Sequence, residues 1–313
     1  MRKLPAILVT AGLLVSLSAC ATASGPFSDC TPNGNAGLVS APGSFDSDPK
    51  AEFPTPLVAT STDVSVLVQG DGDAISSTDV IEATASIYSG DTGDVLASQQ
   101  GEILALSLRS AVKGDFPFVA ALTCATTGSR VVTTGTALQL FGEAALGLDP
   151  ATTLVVVADI TASYPAKATG VDQIVGNEFP GVVMSPIGEP GLTFGSKPAP
   201  TALTIAVSKQ GNGATVAAGD TLALNLVGIV WGGKVTFASS WSNSAPVTVI
   251  AAPLDASGQG VVSGLAKALV GQRVGSQIFV IVPPSDGYPA GAEPAGVSAG
   301  DTLFFVVDIL AID

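Results

Sequence analysis

The 313 residues carry 12 Lys and Arg against 26 Asp and Glu, a formal net charge of −14 at pH 7, so nucleic acid is not an expected partner. No histidine occurs, which removes Ser-His-Asp and Cys-His nucleophile systems and His-containing zinc sites. Beyond the N-terminal segment no apolar run approaches the about 20 residues needed to cross a bilayer, and the apolar content is spread over many short Val- and Ala-rich stretches.

The chain opens with Arg2 and Lys3, then an apolar stretch over residues 6–17, then Leu17-Ser18-Ala19-Cys20. This order is that of an export signal, and the residues around the cut resemble the lipobox of bacterial lipoproteins. The resemblance implies that residues 1–19 are removed and that Cys20 takes a diacylglycerol. Two acyl chains hold far better than one, because each buried methylene contributes about 0.8 kcal/mol. An ordinary secretory signal followed by an unrelated cysteine is the alternative. The expected location is lipid-anchored on the outer face of the cell membrane. An acidic body is repelled by anionic headgroups, so it touches that membrane only through the anchor.

Cys30 and Cys124 are the remaining cysteines. In an oxidising compartment two such thiols more often pair than stay free, so a Cys30–Cys124 disulfide is expected, with two unpaired thiols as the alternative. Residues 20–56 are rich in Gly, Ser, Pro and Asp without an apolar period and read as a polar spacer. Over 57–165 short β-rich segments alternate with turn residues: 64–68, 81–88, 129–133 and 153–160. The Asp71-Gly72-Asp73 run is read as a turn, since an EF-hand loop needs Gly where Ser76 stands. Residues 166–200 form a Gly- and Pro-rich linker, extended because of Pro180, Pro186, Pro190, Pro198 and Pro200. A second strand-rich block follows over 201–313. Only 116–124 and 264–270 read as short helices.

The two blocks repeat each other. Gln69-Gly70-Asp71-Gly72 matches Gln210-Gly211-Asn212-Gly213, and at the same offset Asp79 meets Asp220 and Ala97-Ser98 meets Ala238-Ser239. Further on, Gly128-Ser129 meets Gly275-Ser276, Phe141 meets Tyr288 and Asp159-Ile160 meets Asp308-Ile309.

The second block carries Gly219-Asp220-Thr221, Val227-Gly228, Gly233-Lys234, Phe237-Ala238-Ser239-Ser240-Trp241 and Gly264-Leu265-Ala266-Lys267-Ala268-Leu269. Val274-Gly275-Ser276, Pro283-Pro284 ahead of Gly287-Tyr288, and Thr302-Leu303-Phe304-Phe305 follow in order. This set resembles the FKBP family of peptidyl-prolyl cis-trans isomerases, and the first block resembles it through the repeat. The resemblance implies an α+β, β-rich fold of two tandem domains, each an antiparallel sheet of about five strands wrapped around a short helix.

Rotation about an X-Pro bond has a barrier of about 18 to 20 kcal/mol set by amide resonance. An apolar pocket that strips water from the amide and favours the twisted form lowers it, and no nucleophile, metal or cofactor is required. The resemblance places Phe237, Val261, Val262, Leu265, Tyr288 and Phe305 at that pocket. Tyr288 would donate its hydroxyl to a substrate carbonyl, Phe237 and Phe305 would form walls, and Leu265 the floor. Val261 and Val262 would add a wall whose backbone can hydrogen-bond a ligand. Proline-containing polypeptides are the expected substrates and macrolides the expected inhibitors.

Several positions depart from the family. Leu226 stands for a tyrosine, Ala238 for an aspartate, Leu265 for a tryptophan, Asn243 for an arginine and Val247 for a phenylalanine. Slow turnover, or proline binding without turnover, is therefore the second reading. A structural β-sandwich spacer is the third. Phe, Val and Leu on strands are otherwise ordinary core residues, and Trp241 has no assigned role. In the first block the pocket positions read Leu96, Ala97, Phe118, Phe141 and Val156, which removes the phenol and implies a scaffold or peptide-binding module.

Overall fold

The structure is a computed structural model that describes residues 34–45, 49–76, 78–98, 104–107, 117–242 and 245–312. It is a β-rich α+β fold with antiparallel sheets and few helices. The first block comprises β1 (Asp63–Val68), β2 (Asp79–Ser89), β3 (Val95–Ser98), β4 (Leu104–Ser107), β5 (Arg130–Thr136) and β6 (Thr153–Pro165). They pair in the order β1-β5-β6-β2-β3, with β4 also on β2. Between the blocks lie β7 (Val171–Asp172), β8 (Gly181–Met184) and β9 (Pro190–Thr193). The second block has β10 (Thr204–Gln210), β11 (Thr221–Val230), β12 (Thr236–Ser239), β13 (Val247–Ile250), β14 (Gln277–Val282) and β15 (Leu303–Ile312). Its order is β12-β11-β15-β14-β10-β7, with β13 also on β11.

Leaving β7 aside, the two orders are the same, and so are the irregularities within them. The register slips between Val66 and Val68 in β1 and between Val207 and Lys209 in β10, between Ile87 and Tyr88 in β2 and between Gly228 and Ile229 in β11. A third slip falls between Glu82 and Ala83 in β2 and between Ala223 and Leu224 in β11. Each pair sits at the sequence offset of the repeat. Bulges bend a strand and re-aim its side chains, so both sheets curl at the same places. The turns agree as well. Gly70 N–H and Gly211 N–H each donate to the serine of a Gly-Ser pair, Ser129 Oγ and Ser276 Oγ, both at 2.9 Å. A Cβ on Gly70 or Gly211 would fall within 2.3 Å of a facing carbonyl oxygen, which explains the repeated glycine.

Along β11, β14 and β15 side chains alternate between two buried faces. Leu222, Leu224, Leu226, Ile278, Val280, Phe305, Val307 and Ile309 face one cluster, while Ile229, Phe279, Ile281, Phe304 and Val306 face another. The first cluster is covered by α2 (Ser263–Leu269), whose Leu265, Ala266, Ala268 and Leu269 are buried. The second is covered by the connecting segment, through Phe179 and Phe194. The stretch expected as a linker is therefore largely a back cover for the second sheet: β7 extends that sheet and β8 and β9 form a hairpin. The same holds for the described part of the expected spacer. A 3-10 helix at Gly34–Leu38 starts it, and Ala36, Val39, Ala41, Ala51 and Phe53 pack on Val132, Val155 and Val157 of the first sheet.

Other expectations also need adjusting. Among the described residues the two main sheets have six and seven strands rather than about five. The helix expected near 116–124 is a 3-10 helix over Pro117–Cys124. Further helical pieces among the described residues are α1 (Ala137–Phe141) and 3-10 turns at Gly142–Gly147 and Pro284–Asp286. Thr136 caps α1 with a reciprocal bond to Gln139, a capping box visible in the sequence as Thr-x-x-Gln. Cys124 is disulfide-bonded; Cys20 and Cys30 lie outside the described residues. Among the described residues no helix is long and apolar enough to cross a membrane.

Candidate functional site

The six residues singled out in the second block come from four places in the fold and meet in one cluster. Phe237 is on β12, Phe305 on β15, Val261, Val262 and Leu265 at and before the start of α2, and Tyr288 follows the 3-10 turn Pro284–Asp286. The Phe237 ring stands edge-on to two others, with its centroid 5.6 Å from that of Phe305 and 6.1 Å from that of Tyr288. Such T-shaped pairs contribute about 0.5–1.5 kcal/mol each beyond the area they bury. The rings can come this close because β11 carries no side chain beneath them. A Cβ on Gly228 would lie 2.8 Å from both Phe237 and Phe305. Gly228 was visible in the sequence as a glycine inside a strand, a sign of close approach by another group, but received no role there.

The members differ in how much they can offer a ligand. Val262, Leu265 and Phe305 are buried, whereas Phe237 and Tyr288 are half-exposed. Burial raises the Tyr288 phenol above its ordinary pKa of 10.0, so it stays protonated and able to donate. Its hydroxyl makes no intramolecular hydrogen bond among the described residues. The backbone groups of Val261 are engaged within the fold. Its N–H donates to Ala252 O at 2.9 Å, which spends that donor on the loop before α2, and its C=O already accepts one bond, from Leu254 N at 2.8 Å. Val262 C=O is likewise taken, by Leu265 N and Ala266 N. The Val262 N–H, at the N-terminal boundary of α2, is the remaining donor of the pair.

Beside the ring cluster, on the strand β12 side, an open cleft of about 410 Å³ is lined by Leu226, Phe237, Ala238 and Val247, with Thr236, Ser239, Ser240 and Ser242 at its margin. Its lining carries no charged group. Leu226, Ala238 and Val247 are three of the positions where the sequence departs from the family, each by a smaller or less polar side chain. Asn243 lies outside the described residues. Ser240 Oγ donates to Asn225 Oδ1 at 2.8 Å and accepts from Leu226 N at 3.1 Å, while Asn225 Nδ2 donates to Ala166 O at 2.7 Å. This buried chain of bonds ties the end of β12 to β11 and to the connecting segment. Trp241, left without a role from sequence, is buried.

The first block arranges its counterparts differently. Phe118 and Phe141, at the positions of Leu265 and Tyr288, are both buried, with ring centroids 5.2 Å apart. Leu96, at the position of Phe237, is exposed on β3.

The pattern of the family described as FKBP-type peptidyl-prolyl cis-trans isomerase matches residues 213–310. An FK506-binding protein of Streptomyces anulatus is 31% identical over 127 residues, 40% of this chain and 98% of that protein. The FK506-binding protein 4 of Chaetomium thermophilum is 35% identical over 111 residues, 35% of this chain and 21% of that protein. Among solved structures, FkpA from Escherichia coli is 25% identical with a TM-score of 0.31, covering 42% of this chain and 52% of that one. The chain belongs to the FKBP-type peptidyl-prolyl cis-trans isomerase family.

Proposed function

We propose that the second block is a peptidyl-prolyl cis-trans isomerase domain and that its site is the ring cluster around Phe237. The observation that supports this most is the pairing of an apolar aromatic box, Phe237, Phe305 and Tyr288, with two uncommitted donors, the Tyr288 hydroxyl and the Val262 amide. A prolyl ring against Phe237 loses water from its amide, and a donor on the neighbouring carbonyl holds the chain while the C–N bond turns. The twisted form is favoured because resonance no longer opposes it in a dry, pre-arranged site. No step needs a metal or a cofactor.

The chain is read as two tandem FKBP-like domains, the first of which is a scaffold. Shared strand order and shared bulges support the tandem reading, and the absence of a phenol at Phe141, with the buried Phe118–Phe141 ring pair, supports the scaffold role. Its location is read as lipid-anchored and extracytoplasmic, on the strength of Leu17-Ser18-Ala19-Cys20. There it would assist exported chains whose prolyl bonds isomerise after transport. Labelling with a fatty acid that is abolished by Cys20→Ala is the expected result; label retained by that variant rejects the anchor.

A second reading, a holdase that binds prolyl segments without turnover, is favoured by the uncharged cleft beside Phe237, where Ala238 and Leu226 supply neither a carboxylate nor a phenol to a substrate. A prolyl-peptide isomerisation assay on protein lacking residues 1–20 separates the two. Tyr288→Phe should lower kcat/KM about tenfold and Phe237→Ala by a further margin, the loss of a transition-state hydrogen bond being worth about 1.4 kcal/mol at tenfold. A native rate equal to buffer, with peptide still bound, leaves the holdase reading.

A further inference from the structure

The loop that carries Tyr288 is tied to helix α2 by one side chain. Asp286, two residues before Tyr288, accepts from Ser263 Oγ at 3.1 Å and pairs with Lys267 through the same carboxylate oxygen. Ser263 Oγ also lies 3.3 Å from Asp286 O. Ser263 and Lys267 are one turn apart on α2, so both reach the loop from a single helix face. The helix and the loop come close here because Gly264 has no side chain: a Cβ there would meet Val282 at 2.7 Å and Asp286 Cβ at 3.2 Å. Leu265 and Val262, on or at the start of the same helix, line the ring cluster. One carboxylate thus sets the distance between the two sides of the site that carry its donors.

We propose that Asp286, held by Ser263 and Lys267, is a positioning residue that fixes the Tyr288 phenol against Phe237. This inference rests on the isomerase reading for its kinetic consequence and not for its structural one. Asp286 touches no reacting atom; it acts through the loop. A displacement of about 1 Å in a catalytic group can cost on the order of a hundredfold in rate, so a modest loosening of the loop is enough to matter.

Two measurements on the full chain test it. In the isomerisation assay Asp286→Ala should lower kcat about tenfold with KM changed less than twofold. In the Tyr288→Phe background the same substitution should cost less than twofold, because the phenol it positions is gone. Fully additive losses overturn the proposal. The second measurement needs no activity. The double variant Ser263→Ala with Lys267→Met frees the loop while leaving the Asp286 charge in place. Loss of a cation alone would push the Tyr288 phenol up, whereas release of the ring into water brings it down towards its ordinary value.

Ultraviolet titration, with Tyr288→Phe subtracted to remove Tyr88 and Tyr164, should show the midpoint falling. A midpoint that rises or stays overturns the positioning role even if native protein proves inactive. An inactive native protein with a falling midpoint overturns the isomerase reading and leaves the clamp.

Discussion

The two blocks share a strand order and three register slips, yet they diverge at two places that decide what each can do. In front, the buried Phe118 and Phe141 rings pair in the first block, while in the second Phe237 meets Tyr288 and Phe305 beside a cleft lined by Leu226, Phe237, Ala238 and Val247. Behind, the first block carries a buried ion pair and the second an amide and a lone carboxylate. Arg130 donates twice to Asp159 at 2.6 Å, and also to the carbonyls of Ala41, Gly43 and Ser44 in the back cover. At the equivalent positions Gln277 donates once to Asp308 at 2.7 Å and accepts from Ser208 Oγ. Sheet geometry is therefore indifferent to which face carries the specialised group. The same frame spends one set of positions on closure and the other on an opening.

The largest expected difference lies behind the sheets. Arg130→Ala leaves Asp159 buried without its partner and frees three carbonyls, a loss of about 3–5 kcal/mol by analogy with other broken buried pairs. Gln277→Ala should cost about 1–3 kcal/mol, since Asp308 keeps the Ala168 amide at 3.0 Å. Urea unfolding of the two variants should rank them in that order; equal losses would mean that the ion pair adds nothing beyond a hydrogen bond.

In front, importing the first block's ring by Leu265→Phe should overpack the second, costing about 1–3 kcal/mol. Prolyl-peptide binding should fall at least tenfold. Unchanged binding would show that the ligand sits wholly in the cleft lined by Ala238 and Val247 rather than over Leu265.

The smallest expected effect is a pH dependence that Asp308 gives the second block. Burial holds the Asp308 carboxyl above its ordinary value of 3.8, against the opposing hydrogen bonds from Ala168 and Gln277 and the charges of Lys209 and Lys167. The folded state then binds this proton more tightly than the unfolded one. Its contribution is complete below the unfolded value and is lost as pH rises through the folded one. Native protein should lose stability relative to Asp308→Asn between acid and neutral pH. A difference that is flat across that window removes Asp308 from the account.

The strands were legible because short runs rich in Val, Ile and Leu are bounded by turn residues, and the six ring-cluster positions followed from the family resemblance. Less legible was the back of each sheet. Ala36, Val39, Phe179 and Phe194 sit in segments with no apolar period and many Gly and Pro residues, which read as linker and spacer. The signal lay elsewhere, in the strands themselves. Val132, Val155 and Val157, and Phe279, Phe304 and Val306, make both faces of the central strands apolar, and such a sheet needs covering twice. The short helix α1 was missed because five residues cannot display a helical period, although its capping box was present. The bond from Val261 N–H to Ala252 O was not legible, because sequence shows which residue faces a pocket but not where its backbone hydrogen bonds go.

The back covers have a consequence for the order in which the molecule can be completed. Each precedes, in the chain, the sheet it lies upon: the described residues 34–45 and 49–57 come before β1, and 166–200 before β10. Chains are synthesised from the N-terminus and domains complete in that order. The growing chain therefore holds each lid before it has made the greasy surface beneath it, and neither sheet waits bare for a cover still to be synthesised.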